Sequence, residues 1–182
     1  MTPRTLPERI VALDQALTEI PHAFGGALAL AYYAEPRATV DIDLNLFVPT
    51  DRFPDVAARL LPLGIDADDP DAAAAVASHG QARVMWDRTP VDLFFAYDVF
   101  HDAAKAAIRT VPFADSSIPI LAAEHLIVCK VVFNRPKDWV DIDAVLGTGT
   151  ALDVAEVLRW VGRVTGDEDP RYERIAAVLT RR

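Results

Sequence analysis

The sequence predicts a protein of the α/β (α+β) class, with a sheet-containing first part followed by a helical bundle. Two observations support this class: strand-like and helix-like hydrophobic patterns alternate up to residue 120, and the patterns from residue 121 onward are helical. The chain has 182 residues, of which 52% are hydrophobic and 25% are charged. This composition is sufficient to bury a core and excludes a disordered polymer.

The first elements alternate between helix and strand. Apolar residues recur at helical spacing over residues 6–20, and a short extended segment ends at Gly25 and Gly26. A helix is predicted over residues 27–33, and Pro36 closes it.

Residues 40–48 are predicted to form a strand with two different faces, because apolar residues occupy every second position. The face expected to be buried contains Val40, Ile42, Leu44, Leu46 and Val48, and the other face contains Asp41, Asp43, Asn45 and Phe47. The second face therefore displays carboxylates.

The middle of the chain predicts a helix, a connection and a hairpin. Residues 51–63 predict a helix with Asp51 as its N-cap, and the acidic, alanine-rich residues 64–80 predict a connection. Residues 81–86 and 90–96 predict a hairpin with three intervening residues. The remaining predictions are a helix over residues 98–108, one or two short strands over residues 110–120, and helices over residues 121–182 with breaks near Pro136, residues 147–149 and residues 166–170.

Composition restricts the compartment and the partners. No apolar run reaches the roughly 20 residues that a membrane span needs, and the first residues lack a signal-peptide core, so we expect a cytoplasmic protein with no membrane partner. The single cysteine, Cys129, lies in an apolar segment and is expected to be a packed thiol. The net charge of −9 argues against general nucleic-acid affinity. The acidic excess lies within residues 1–129, which leaves a cationic site open in residues 130–182.

The stretch VDIDL places two aspartates, Asp41 and Asp43, one residue apart in a predicted strand. Asp41 and Asp43 point the same way from a strand, with Cα atoms roughly 6.5 to 7 Å apart, so their carboxylates can converge. Two carboxylates about 4 Å apart repel by roughly 4 kcal/mol at an effective dielectric near 20. A divalent cation such as Mg²⁺ would turn that repulsion into binding. The alternative is an exposed edge strand with two solvated aspartates.

Asp92 is a third acid of the same kind, alone in the apolar run PVDLFFA. If its strand pairs beside residues 40–48, three carboxylates share one pocket, as a two-metal phosphoryl-transfer site requires. The alternative is a solvent-facing strand residue. Upstream, Gly25 and Gly26 would allow close approach of the backbone to a ligand, although the P-loop pattern is absent.

A second group of charges lies in KVVFNRPKDWVDI, residues 130–142. Lys130 interrupts an apolar run, so it must reach solvent or find an anionic partner. Arg135 and Lys137 flank a proline that suits the start of a helix, on which Asp138 and Asp141 would share a face. This cluster could hold a triphosphate, and the alternative is a snorkelling lysine beside a helix-capping aspartate.

Taken in order, these motifs resemble a known family. They are GG before a helix, R-x-T-x-D-I-D-L over residues 37–44, the lone aspartate in VDLFF, E-H-L-I-x-x-K ending at Lys130, and R-x-K-D-x-x-D-I beginning at Arg135. The pattern resembles the nucleotidyltransferase superfamily that shares its fold with DNA polymerase β, and within it AbiEii-type toxin nucleotidyltransferases and their uncharacterised bacterial relatives. The resemblance covers roughly residues 20–146. It implies a mixed sheet flanked by helices, with a catalytic core over residues 1–120 and a helical region over residues 121–182 that packs on the core and completes the site.

The resemblance also implies an activity. We expect transfer of a nucleoside monophosphate from an NTP co-substrate to an acceptor hydroxyl, on the 3′ end of tRNA or on a protein, with two Mg²⁺ ions and release of pyrophosphate. Asp41 and Asp43 would hold both metal ions, and Asp92 would bind the catalytic metal and activate the acceptor. The remaining implied nucleotide-binding residues are Gly25, Gly26, Arg37, Thr39, Lys130, Arg135, Lys137 and Asp138. Of these, Lys130 would contact phosphate, while Arg37 and Thr39 would order the loop before the strand.

Three other roles stay open at this point. The acceptor could be a small cationic molecule such as an aminoglycoside, for which an acidic surface is attractive. The chain could be a silent module that binds a nucleotide or a partner, or a toxin-modifying antitoxin. As the toxin of an AbiE-like pair it would itself have an antitoxin partner. A basic face of Arg159, Arg163, Arg171 and Arg174 could approach RNA, although an ordinary solvated helix face is the simpler interpretation.

Overall fold

The computed structural model describes residues 4–67 and 69–181. The chain forms two compact units. The sheet unit contains the residues up to Leu28 together with Ala38–Leu121, and the helical unit contains Ala29–Arg37 and the residues from Ala122 onward. Ala29–Arg37 lies ahead of the DID motif, which consists of Asp41, Ile42 and Asp43, and belongs to the helical unit together with the C-terminal residues.

The sheet unit is built on a six-stranded mixed sheet in the order β3-β4-β2-β1-β6-β5. Its strands are β1 (His22–Phe24), β2 (Ile42–Leu46), β3 (Gln81–Trp86), β4 (Thr89–Phe95), β5 (Arg109–Phe113) and β6 (Ser116–Ile120). β2 pairs with β1 in antiparallel and with β4 in parallel orientation, and β3 and β5 lie at the edges. The predicted neighbouring of the DID strand and the Asp92 strand is confirmed.

The apolar faces of β2 and β4 form the centre of the core. Leu44 and Leu93 are fully buried and are direct neighbours in the parallel pairing. The α-helices of the described residues are α1 (Leu6–Ala16), α2 (Gly26–Leu30), α3 (Phe53–Leu60), α4 (Pro70–His79), α5 (Val99–Ala106), α6 (Ala123–Phe133), α7 (Pro136–Gly147), α8 (Val154–Thr165) and α9 (Pro170–Thr180). In the helical unit, α6 packs against α7, α8 and α9. Within the described residues, no helix is both long and apolar enough to cross a membrane.

Several local predictions are wrong. The connection over residues 64–80 contains α4, since Asp69 caps the helix by accepting from the N–H of Asp71, and Gly80 ends it in the left-handed conformation. Asp51 lies inside a short 3₁₀ turn, Thr50–Arg52, and does not cap α3. The first error arises because the alanine-rich residues of α4 give little hydrophobic contrast between the faces of a helix.

The two faces of the DID strand also differ from the simple alternation. Val40 is 71% exposed because β2 begins only at Ile42, and Phe47 is buried although it was placed on the carboxylate face. Phe47 follows the end of β2, where its N–H donates to the carbonyl of Pro21. Cys129 is only partly buried.

The central position of Leu44 can be tested against Val40. We expect Leu44→Ala to lower the free energy of unfolding by about 2–5 kcal/mol, because it leaves a cavity in a fully buried layer. Val40→Ala should change it by less than about 0.5 kcal/mol, as exposed substitutions do. Urea unfolding followed by circular dichroism measures both, and equal losses would contradict the observed start of β2.

Candidate active site

Three carboxylates lie close together on the sheet unit. Asp43 on β2 and Asp92 on β4 are direct neighbours in the parallel pairing, and Asp41 immediately precedes β2. All three are only partly buried. One guanidinium, that of Arg83, reaches both Asp41 and Asp92, so their side chains lie on the same face of the sheet.

Arg83 supplies the positive charge of this acidic group. It lies on β3 opposite Asp92, and its Nε and Nη2 donate to Asp92 Oδ1 and Oδ2, both at 2.7 Å. Its Nη2 is 3.6 Å from Asp41 Oδ2. The hydrogen bonds and charge of Asp92, together with the charges of Asp41 and Asp43, raise the pKa of Arg83 further above its already high value.

Arg83 was missed by sequence reasoning, and the cause is the hairpin turn. The predicted turn has three residues, which would place Arg83 opposite Leu93. The observed turn has two, Asp87 and Arg88, with Trp86 paired to Thr89, so Arg83 faces Asp92. The sequence signal was an aspartate, Asp87, at the first turn position, because aspartate tolerates positive φ better than most residues; in the structure its φ is 53°.

The glycine pair lies directly against the same acids. The Gly25 N–H donates to the Asp43 carbonyl at 2.9 Å, and Gly26 has a φ of +52°. A Cβ at Gly26 would overlap the Asp43 carboxylate, and a Cβ at Gly25 would lie 2.7 Å from Asn45 Nδ2. Gly26 thus leaves space for the Asp43 carboxylate, and Gly25 leaves space for the Asn45 amide. Beside it, the Thr39 hydroxyl accepts from the Asp41 N–H at 3.3 Å.

The donor set fits a hard divalent cation. Asp41, Asp43 and Asp92 offer only carboxylate oxygens, which Mg²⁺ prefers, and the Arg83 guanidinium already shows that a cation is accommodated against two of them. Across the described residues, no three acidic, histidine or cysteine side chains stand in a ready-made ligating arrangement. Binding a metal there would therefore require the carboxylates to change their present partners.

The helical unit contains a second, buried charge group around Asp141. Lys130 on α6 is 5% exposed, and its Nζ donates to Asp141 Oδ2 at 2.6 Å. Arg37 donates to both oxygens of Asp141, from Nε and Nη2, at 2.9 Å each. Burial tends to raise the pKa of Asp141, but the bonds and charges of Arg37 and Lys130 outweigh it and hold the pKa below its usual value.

The residues at the start of α7 are paired among themselves. Asp138 is fully buried and accepts from the Arg135 backbone N–H at 3.0 Å and from its Nε at 2.7 Å. This is a capping arrangement at the helix start, as Pro136 at its first turn predicts. Lys137 is exposed. The phosphate and nucleotide contacts expected of Lys130, Arg135, Lys137 and Asp138 remain predictions.

The C-terminal arginines make local contacts. Arg159 donates to Glu156, Arg171 donates to Asp169, and Arg163 and Arg174 lie over the rings of Trp160 and Trp139, with the Arg174 guanidinium carbon 3.8 Å from the ring centre. These contacts agree with ordinary helix surfaces, in which cations stack on aromatic rings.

Comparison with known proteins identifies the family. The family model of the nucleotidyl transferase AbiEii toxin, type IV toxin–antitoxin system, matches residues 10–181. The chain belongs to this family. It is accordingly a nucleotidyltransferase, as the motifs predicted. A search of curated proteins found no match.

Solved structures share the fold of this AbiEii-family chain. The antibiotic-resistance factor ANT(2″)-Ia has 18% identity and a TM-score of 0.61, with 94% of each chain covered. A nucleotidyltransferase-like antigen from Paracoccidioides brasiliensis has 14% identity and a TM-score of 0.52, over 97% of this chain and 87% of that one. The lincosamide antibiotic adenylyltransferase LnuA has 13% identity and a TM-score of 0.53, over 78% and 96%. At these identities the likeness shows the fold alone.

The role of Gly26 can be separated from simple backbone strain. Gly64 also has a positive φ, of 83°, but nothing lies near its absent Cβ. Gly64→Ala should therefore lower the free energy of unfolding by about 1 kcal/mol, because alanine disfavours the left-handed backbone conformation. Gly26→Ala should lower the free energy of unfolding by at least about 1 kcal/mol more than Gly64→Ala does, because the Asp43 carboxylate must also move. Thermal unfolding of both variants measures the difference, and equal costs would contradict the close approach of Gly26 to Asp43.

The charge group around Asp141 predicts a pH dependence. Asp141→Asn should lower the free energy of unfolding by about 3 kcal/mol at pH 7, because it leaves buried Lys130 without its anionic partner. A carboxyl whose folded pKa is depressed stabilises above its unfolded pKa, and this contribution is lost as pH falls through the folded value. The difference in free energy of unfolding between wild type and Asp141→Asn should therefore become smaller below about pH 4.

Asp143→Asn, at an exposed position of the same helix, is the matched control for this measurement. It should change stability by less than about 0.5 kcal/mol. Urea unfolding from pH 3 to pH 7 gives the comparison. An Asp141→Asn loss that stays constant across this range would show that the carboxylate charge is not what stabilises the group.

Proposed function

We propose that the chain transfers a nucleoside monophosphate from an NTP to an acceptor hydroxyl in a Mg²⁺-dependent reaction, as the toxin component of an AbiE-like toxin–antitoxin pair. The observation that carries the proposal is the grouping of Asp41, Asp43 and Asp92 on one face of the sheet, with Gly26 kept free of a side chain beside Asp43. Family membership supports both the transfer chemistry and an antitoxin partner.

The three aspartates have distinct roles in this proposal. Asp41 and Asp43 would hold both metal ions, and Asp92 would hold the catalytic one. Asp92 also accepts the proton of the acceptor hydroxyl, whose oxygen bonds to the α-phosphorus as the bond to the β-phosphate oxygen breaks and pyrophosphate leaves. When bound there, the metal ions would supply positive charge to neutralise the charge that develops on the phosphate oxygens. The backbone at Gly25 and Gly26 approaches the triphosphate.

The family resemblance also assigns nucleotide contacts to residues of the helical unit. Lys130 is proposed to contact phosphate, for which its Nζ must leave Asp141. Arg135, Lys137 and Asp138 are proposed to shape the surroundings of the nucleotide. Arg37 and Thr39 order the segment before the DID motif, a role supported by the Arg37 bonds to Asp141 and the Thr39 bond to the Asp41 N–H. The proposed acceptor is the 3′ end of tRNA or a protein hydroxyl.

A small cationic acceptor is the second candidate. Two observations favour it: residues 1–129 hold 18 acidic against 9 basic residues, and ANT(2″)-Ia and LnuA, whose fold the chain shares, act on antibiotics. ANT(2″)-Ia has been seen with adenylyl-2″-tobramycin, and LnuA with lincomycin. An acidic surface concentrates cationic substrates at low ionic strength.

Label transfer from α-³²P-labelled NTPs tests the proposal. Wild-type protein with Mg²⁺ should label total tRNA or a protein of a cell extract, whereas an aminoglycoside panel should take label only under the second candidate. Asp41→Asn combined with Asp43→Asn, and Asp92→Asn alone, should each reduce transfer at least about 100-fold. Asp102→Asn, at an exposed position of α5, should leave it unchanged. If the variants of Asp41, Asp43 and Asp92 transfer label as well as wild type does, the assignment of these three aspartates is wrong.

A further inference from the structure

Arg83 is a cation built into the acidic group, and no motif of the family resemblance includes it. It comes from the edge strand β3, and both of its bonds to Asp92 are 2.7 Å long. Such a fork-to-fork arrangement uses both oxygens of the carboxylate. Asp92 therefore has its lone pairs directed at a guanidinium in the very position where the proposed function requires it to bind a metal ion.

We propose that Arg83 competes with the divalent cation for Asp92 and is displaced from that carboxylate when the metal binds. The inference rests on the proposed function, because it takes Asp41, Asp43 and Asp92 as metal ligands. Arg83 is in this sense a positioning residue: it holds Asp92 in place and sets how tightly the site takes a metal.

Two observations and one physical argument support the inference. First, the guanidinium also stands 3.6 Å from Asp41 Oδ2, so it neutralises two of the three carboxylates together. Second, a cation bound between Asp43 and Asp92 would be repelled by a guanidinium in contact with Asp92. Third, the Arg83 side chain is 56% exposed, which leaves room for it to move toward solvent, whereas the Asp92 side chain is only 18% exposed.

The competition has a definite sign. Without metal, Arg83 offsets the mutual repulsion of the three carboxylates and stabilises the fold. When a metal ion binds, the hydrogen bonds between Arg83 and Asp92 must be broken. The free energy needed to break them makes the free energy of metal binding less favourable. Removing the guanidinium should therefore weaken the metal-free protein and strengthen metal binding, two effects of opposite direction that a merely structural residue would not produce.

The test uses the full-length protein and Mn²⁺ as the probe. Isothermal titration should show the dissociation constant for Mn²⁺ fall at least about threefold in Arg83→Gln, on the scale of a partly exposed charged pair. Arg83→Lys keeps the charge but loses the bidentate hydrogen bond. Its Mn²⁺ affinity should therefore lie between those of wild type and Arg83→Gln. Thermal unfolding without metal should show a lower melting temperature for Arg83→Gln, and a larger rise when Mn²⁺ is added.

Arg88→Gln is the matched control, because it removes the same charge from the exposed turn of the same hairpin. It should leave the Mn²⁺ affinity at the wild-type value. If Arg83→Gln binds Mn²⁺ as tightly as wild type, or less tightly, the competition is refuted while the metal site stands. If Arg88→Gln raises the Mn²⁺ affinity as much as Arg83→Gln does, the effect comes from the change in net charge and the inference fails. If wild type and Arg83→Gln both bind no Mn²⁺, the proposed function fails instead.

Discussion

The balance of charge where β2 pairs with β4 is the constraint on which the candidate site depends. Asp43 and Asp92 occupy directly neighbouring positions of the sheet, where like charges are destabilising, and Asp41 adds a third negative charge. Arg83 on the next strand compensates part of this charge. The fold thus maintains an arrangement that is costly without a cation, and Gly26, which has no side chain, leaves room for the Asp43 carboxylate itself.

The helical unit follows the same principle in a drier environment. Lys130 is buried on α6 and would be costly to ionise alone, but Asp141 lies on the facing helix and Arg37 bonds to the same carboxylate. A bidentate arginine–aspartate pair therefore anchors a segment in each unit, at Arg83 for the hairpin and at Arg37 for the residues that lead to the DID motif. Both pairs fix backbone segments that carry the residues assigned to nucleotide transfer.

The sequence predicts the strands well where apolar residues alternate, as in β2, β3 and β4, because period-2 burial is readable from one chain. It does not predict α4, whose alanines give little contrast between faces, or the exposure of Val40, which depends on where β2 starts. The grouping of the acids depends on strand order, and the family resemblance supplied what periodicity could not. Arg83 and the anchoring role of Asp141 depend on register and on contacts between distant segments, which no local pattern contains.

The central claim is that the aspartates of β2 and β4 share a divalent cation. Crystals grown with Mn²⁺ and a non-hydrolysable NTP analogue, measured near the manganese absorption edge, test it most directly. We expect an anomalous peak within coordination distance of Asp43 and Asp92, with the Arg83 guanidinium withdrawn from Asp92. Density for the nucleotide without such a peak, and with the Arg83 pair intact, would contradict it.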